Sequence, residues 1–285
     1  MIAVTLEGRL GNQLFQYAFI YAAARRLKTS FYLDKSVDKF LLPQYFEVQT
    51  DFAAGLDNTI FSIKGYKNIF IVHGKKAFYN FINKLIFKNN IIIIENETPV
   101  GEALKLLRNN HLYKGFFYSE SYFRDFTEEI RSLYTLKKKH VAAFESIKKQ
   151  FDSSKKKAVV HVRRSDYVGL DIALPVSYYK KAIEIIDNPD IEYIFISDDP
   201  AFVESEFCYI TNKYVSKNNE IVDLQLLINA DICILSSSSF SWWGAWLNNN
   251  KNKQLFAATY WLGFKERIEF PAGVADYINI NWIEI

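Results

Sequence analysis

Hydrophobic and polar positions along the chain switch repeatedly between a strand-like run and a helical repeat. Residues 2–6 are a short apolar run that predicts a strand, and the Gly-bounded turn Gly8-Arg9-Leu10-Gly11 follows it. From Asn12 through Leu27, the residues Leu14, Phe15, Ala18, Tyr21, Ala22 and Arg25 recur at helical spacing. Phe31-Tyr32-Leu33-Asp34 predicts a second strand, so the chain opens β-α-β. Residues 40–115 hold short aromatic and Lys-rich elements. Within them, Ile91-Ile92-Ile93-Ile94 predicts a buried strand and residues 112–117 another.

Residues 137–157 mark a boundary. Lys137-Lys138-Lys139 precedes an amphipathic helix with Val141, Phe144, Ile147 and Phe151 on one face, and Ser153-Ser154-Lys155-Lys156-Lys157 follows. The division predicted is a lobe of residues 1–140 and a lobe of residues 141–285. The second lobe reads as strand 158–162, helix 175–186, strand 191–197, helix 220–229, strand 231–235 and helix 242–248, with Pro175 suited to a first turn. This alternation predicts parallel α/β topology, with no repeat at solenoid periods. Each polar cluster of note follows a predicted strand: residues 8–13, 161–167, 197–199 and 236–241. Ligands of open α/β sheets sit at the carboxyl ends of strands, so one shared site is expected.

Composition narrows the function classes. The 285 residues suffice for two lobes. A net charge of +3 is too weak to point to nucleic acid, yet a diphosphate needs only a few cations. Aromatics reach 16%, read first as core packing and second as sugar-stacking walls. Cys208 and Cys233 lie in apolar surroundings and read as buried thiols, and no Cys/His spacing suits zinc. No basic start leads into a long apolar stretch, and no apolar run could span a bilayer. A cytoplasmic protein is expected. The lysine runs read as a solvated connector or as a peripheral contact with an anionic membrane.

The polar clusters carry the chemistry. In Gly8-Arg9-Leu10-Gly11-Asn12-Gln13 the glycines permit close backbone approach and the helix start favours anions; the segment is a tight turn, or it brings Asn12 to a ligand. It matches neither a P-loop nor a dinucleotide fingerprint. In His161-Val162-Arg163-Arg164-Ser165-Asp166-Tyr167, strand alternation puts His161 and Arg163 on one side and Arg164 on the other. Paired arginines at the end of a buried strand need anions: either a diphosphate, which a guanidinium fork suits, or the carboxylates of an internal ion-pair cluster. Arg164 and Asp166 are expected to pair. Ser197-Asp198-Asp199-Pro200 lacks the spacing of a metal-binding Asp-x-Asp, so a structural role with donor contact from Asp198 is preferred over metal. Residues 236–241 place hydroxyls at a strand-to-helix turn that can cradle phosphate, with Phe240 free to stack on a ring; Trp242, Trp243 and Trp246 read as core. Glu7, just before the Gly turn, is the candidate general base, though alternation could equally turn it to solvent.

Together and in this order, Gly-Arg-Leu-Gly-Asn-Gln-Leu-Phe-Gln-Tyr-Ala-Phe (8–19), His-Val-Arg-Arg-Ser-Asp-Tyr (161–167), Phe-Ile-Ser-Asp-Asp (195–199) and Ser-Ser-Phe-Ser-Trp-Trp-Gly-Ala-Trp-Leu (238–247) resemble the bacterial α-1,2-fucosyltransferases of glycosyltransferase family 11. Arg9 and Ser165 stand where that family often has Gly, and Leu14 where it often has Met. His-x-Arg-Arg is shared with protein O-fucosyltransferases and α-1,6-fucosyltransferases. The resemblance implies a GT-B architecture, two Rossmann-like lobes facing across a cleft. It implies inverting transfer from GDP-fucose to the 2-hydroxyl of a galactose-terminated or lipid-linked glycan, with no metal and no cofactor; the alternatives are another GDP-sugar-dependent glycosyltransferase and a non-catalytic nucleotide- or carbohydrate-binding protein. His161 would meet the guanine side, Arg163 the β-phosphate, Ser238, Ser239 and Phe240 the phosphate and base, and Asn12 the reacting centre. Gly11, Gln13 and Asp198 would complete the donor set, with Arg164 and Asp166 in support.

Overall fold

The computed structural model describes residues 1–48, 69–274 and 280–285. Part of the 40–115 stretch, residues 49–68, therefore lies outside the described residues. The chain divides into two compact units, Met1–Thr135 and Leu136–Ile285. Each is built on its own parallel sheet, as the α/β reading requires.

The first unit runs β1 (Ile2–Thr5), α1 (Leu10–Arg26), β2 (Phe31–Asp34), α2 (Leu42–Tyr45), α3 (Ile69–Phe87), β3 (Ile91–Ile93), α4 (Val100–Lys105), β4 (Leu112–Lys114) and α5 (Thr127–Leu133). Its strands lie in the order β2-β1-β4-β3. β1 is central and buried at every position, which explains its unbroken apolar run. α1 starts at Leu10, before the predicted start, and Arg25 and Arg26 in its last turn complement the helix dipole. The isoleucine run differs from expectation. β3 is an edge strand with Ile91 45% and Ile93 59% exposed, and only Ile94 beyond it is buried. An apolar run does not reveal how many neighbours its strand will have. β4 stops at Lys114, short of residue 117, because Phe117 leaves the sheet to stack on Phe19 of α1 with ring centroids 3.6 Å apart.

The second unit runs α6 (Lys138–Lys148), β5 (Lys156–Val162), α7 (Ser165–Gly169), α8 (Val176–Ile186), β6 (Ile191–Ser197), α9 (Pro200–Glu206), β7 (Lys213–Val215), α10 (Glu220–Ile228), β8 (Ile232–Ile234), α11 (Ser239–Leu247), β9 (Gln254–Ala258) and β10 (Ile280–Ile283). The six strands lie in the order β10-β9-β8-β5-β6-β7, every pair parallel. Val160, Val162, Tyr178, Phe195, Ile234 and Phe256 belong to one apolar cluster of its core. The tryptophans of α11 are core residues, Trp242, Trp243 and Trp246 all being at most 1% exposed. On α6 only Phe144 is buried, Val141 is exposed, and Phe151 lies past the helix end with its ring against Tyr214.

Cys233 is a buried free thiol, pushed up to about 12 by burial. Cys208 is exposed, contrary to its apolar surroundings in sequence, because the adjacent Phe207 takes the inward position. Among the described residues no helix is long and apolar enough to cross a membrane.

α10 and α11 pack closely enough that only Gly fits at position 244. A Cβ there would lie 2.5 Å from Leu227 Cβ, whereas one at Gly101 in α4 would meet nothing within 4 Å. Gly244→Ala should cost about 1–3 kcal/mol in a denaturant titration, and Gly101→Ala should gain about 0.5–1 kcal/mol. Equal effects of the two substitutions would contradict this packing.

Candidate functional site

Because the strands of the second sheet run parallel, their carboxyl ends share one edge. Three of the four polar clusters meet there. β5 delivers residues 161–167, β6 delivers 197–199, and β8 with the start of α11 delivers 236–241.

His161, on the last turn of side chains along β5, is 6% exposed. Its Nδ1 and the Ser236 hydroxyl share a 2.7 Å hydrogen bond. Its ring lies 5.5 Å from that of Phe240. Burial, then the charge of Arg163, pushes the His161 pKa down to about 4, against an opposing pull from Asp198. The imidazole is therefore neutral near pH 7.

Arg163 is held from two sides. Nη1 lies 2.7 Å from Asp198 Oδ2, and Nη2 lies 2.5 Å from Asp166 Oδ1. The guanidinium also sits 5.4 Å from the Tyr167 ring, whose hydroxyl donates to the Ser237 carbonyl at 3.0 Å. Burial pushes Tyr167 up to about 12, so its phenol stays a donor. Asp198 accepts from Arg164 N–H at 2.8 Å and from the Ser165 hydroxyl at 2.5 Å. Burial would raise its pKa, but these bonds and the Arg163 charge outweigh that and lower it.

The expected Arg164–Asp166 pair is not formed. Asp166 goes to Arg163, one helical turn away on α7. Arg164 points to the other side of the strand, where its Nε lies 3.5 Å from Asp199 Oδ2 and its guanidinium 3.5 Å from the centre of the Phe202 ring. Asp199 also caps α9, accepting from Phe202 N–H. Both carboxylates of the 198–199 pair are thus engaged by arginines and backbone, as the structural reading of that segment anticipates.

Ser238 is the N-cap of α11, accepting from Phe240 N–H, while the Ser241 hydroxyl donates to the carbonyls of Ser236 and Ser238. The first turn of α11 carries no acidic residue, and Ser239 and Phe240 are half-buried. A helix start of this kind attracts anions. The buried Ser237 hydroxyl has no hydrogen-bond partner among the described residues. Leaving a buried hydroxyl unsatisfied costs roughly 1–3 kcal/mol, which a ligand acceptor would recover.

Sequence reasoning passed over Asp223. It sits in the first turn of α10, beside α11, and accepts from the Ser216 hydroxyl at 2.5 Å just past β7. Burial raises its pKa to about 6, despite the Ser216 bond. Both helices start at the carboxyl edge of the sheet, so Asp223 belongs to the same rim. Its spacing from the serine run was the available signal, but a lone Asp in a helix start reads as a dipole-favoured residue. Ser236 and Tyr167, both inside quoted motifs, were likewise not assigned as partners.

In the first unit, residues 6–9 form the turn after β1 and residues 10–13 open α1. Gly8 has φ +82, and a Cβ there would collide with Asn12 Nδ2 at 2.3 Å. Gly8 N–H donates to Asp38 Oδ2 at 2.7 Å. Asn12 Oδ1 accepts from the Tyr118 hydroxyl at 3.0 Å. Gly11 is buried inside α1. Gln13 differs from expectation: it is fully buried and its amide is spent on the loop, donating to the carbonyls of Gly8 and Lys39 and accepting from Leu41 N–H. It braces the turn. Glu7 is exposed, and its backbone N–H donates to Gln16.

Known proteins place this arrangement. The family model "Glycosyl transferase family 11" matches residues 1–285. The chain is 30% identical to the O-antigen biosynthesis glycosyltransferase WbnK of Escherichia coli, over 90% of this chain and 93% of that protein. It is 28% identical to an alpha-1,2-colitosyltransferase of Escherichia coli, over 99% of both. Among solved structures it shares the fold of the fucosyltransferase NodZ from Bradyrhizobium (TM-score 0.54, 15% identity, 86% of this chain and 92% of that one). It shares it also with POFUT1 in complex with GDP-fucose (TM-score 0.53, 12% identity, 88% and 95%). The fold is thus of the GT-B class that the sequence resemblance implied. From its first residue to its last, the chain belongs to glycosyl transferase family 11.

Proposed function

We propose that this glycosyltransferase moves L-fucose from GDP-β-L-fucose, with inversion, to the 2-hydroxyl of a terminal galactoside in a surface glycan such as O-antigen. The observation that carries the reading is Arg163, oriented by Asp166 and Asp198 at the edge that also holds neutral His161 and the acid-free start of α11. Arg163 and the positive end of the α11 dipole take the diphosphate, and the Ser237 hydroxyl, which has no partner among the described residues, gains an acceptor. Asp223 offers a carboxylate that suits the adjacent N–H groups of guanine, and Phe240 a ring for stacking. The names of WbnK and of the GDP-fucose-bound POFUT1 support the glycan and the donor.

In the reaction the bond from the anomeric carbon to the β-phosphate oxygen breaks as the bond to the acceptor oxygen forms. GDP leaves with the electron pair, stabilised by Arg163. The acceptor proton passes to Glu7, and Asn12 orients the transferred sugar. Asp198 is a positioning residue that acts through Arg163.

A second reading has a specific source. The colitosyltransferase relative matches both chains almost end to end. Colitose lacks the 3-hydroxyl of L-fucose, so a GDP-colitose donor would use the same diphosphate site.

Calorimetry with EDTA present should show GDP and GDP-fucose binding, and no competing UDP affinity. Arg163→Ala should lower turnover by about a hundredfold or more, the scale for a lost charge-stabilising donor, and Arg163→Lys should also be poor because a point charge cannot form the fork. Near-normal turnover in either variant rejects the role. Faster transfer from GDP-colitose than from GDP-fucose moves the assignment to the second donor.

His161 should remain neutral from about pH 8 to 5, so GDP affinity should carry no histidine step in that range. The sign for stability follows from its depressed pKa. Above 6.5 the ring is neutral in both folded and unfolded chains; as pH falls from 6.5 to about 4 only the unfolded chain takes the proton. Stability attributable to His161 should then drop by on the order of 3 kcal/mol. A His161 NMR titration with a midpoint near 6.5 would contradict this.

Glu7→Gln should lower turnover about tenfold or more, as the loss of a general base does. A variant that keeps the wild-type rate excludes Glu7 as the base.

A further inference from the structure

In the described part of the first unit the exposed large apolar side chains are Val37, Phe81, Leu85, Ile91, Ile93 and Leu106. Four of these six fall within residues 81–93. Phe81 and Leu85 are 66% and 68% exposed on α3. The opposite arc of that helix, with Phe78, Tyr79, Ile82, Ile86 and Phe87, packs against Ala3, Tyr32 and Leu112 of the sheet. Ile91 pairs in register with Leu112, and Ile93 with Lys114. Paired residues of parallel strands project to the same side, so Ile91 and Ile93 lie on the face that α3 covers, at its open edge. An apolar edge strand left bare is an association hazard, which natural sheets suppress with charge or cover.

The charged side chains of α3 are basic, and Glu95 and Glu97 follow past the end of β3. No residue from 58 through 94 is Asp or Glu. Lys76, Lys84 and Lys88 are exposed. Helical spacing places residues 77, 81, 84, 85 and 88 on one arc, so Phe81 and Leu85 sit beside Lys84 and Lys88. A second copy of this chain laid on α3 would set these lysines against themselves with no carboxylate on that helix to pair, which disfavours a symmetric contact through it. Apolar side chains flanked by lysines match a surface of acyl chains beneath anionic headgroups.

We propose that α3 and β3 form a docking face by which the first unit lies on an anionic lipid bilayer. Phe81, Leu85, Ile91 and Ile93 enter the headgroup boundary, and Lys76, Lys84 and Lys88 meet the phosphates. The docking requires neither the donor assignment nor the linkage.

The test is co-sedimentation of the full chain with vesicles of phosphatidylcholine alone or mixed with phosphatidylglycerol. Binding is expected to the mixed vesicles only, weakening as salt is raised. Phe81→Ser with Leu85→Ser, and separately Lys84→Glu with Lys88→Glu, should each weaken it by about tenfold or more. All four positions are exposed, so GDP binding by each variant should match the wild type and serves as the check on folding. Absence of wild-type binding to the mixed vesicles overturns the proposal, as does binding that both double variants leave unchanged. Light scattering without vesicles supplies the other arm. Self-association that the Phe81/Leu85 variant abolishes would assign the face to a second copy and overturn the lipid reading.

Discussion

Asp198 joins two strands, a helix start and the key cation through one carboxylate. It accepts from Arg164 N–H and the Ser165 hydroxyl while pairing with Arg163, so the end of β6 fixes the turn that follows β5. Arg163 has little solvent to fall back on, its side chain being 15% exposed. Removing one partner of such a pair leaves a poorly solvated charge, whereas the intact pair holds the guanidinium in a single orientation. The parallel register of β5 with β6 and β8 makes this possible, because it carries Asp198, Arg163 and Ser236 to the same edge.

The electrostatics of that edge are balanced between fixed charges and dipoles. Arg163 and Arg164 face Asp166, Asp198 and Asp199, so arginine charge alone leaves no surplus for an anion. The start of α11 supplies the positive end of a helix dipole with no acid in its first turn. His161 adds no positive charge, because burial keeps it neutral; it contributes a shaped hydrogen-bonding edge through Ser236. An anion that reaches this rim meets a preorganised dipole first and a guanidinium that is already oriented.

The aromatic wealth of the chain goes largely into packing. Phe19 of α1 stacks on Phe117 and meets Tyr113 and Tyr122 edge-on. The tryptophans of α11 contact one another inside the second unit. Phe240 is the exception at the site, half-buried and tilted against His161. These rings make α1 and α11 rigid supports for the turns at their amino ends, where the polar clusters of each unit lie.

By itself the sequence determined the alternation of strands and helices, the two-unit α/β organisation, and the motifs that name the family. Those features are local: an apolar run, a helical repeat, a turn-forming Gly, a string of residue types in order. It could not determine partners, because these depend on which strand lies beside which. Arg163 rather than Arg164 takes Asp166, which lies three residues on from it in the first turn of α7. Gln13 serves the loop rather than a ligand, since Lys39 and Leu41 return over it from beyond β2. Asp223 became legible only when α10 packed beside α11 and brought a carboxylate to the rim. The isoleucines at 91 and 93 were legible as strand, but their exposure was settled by position: among the described residues β3 pairs with one neighbour, β4, at the edge of its sheet.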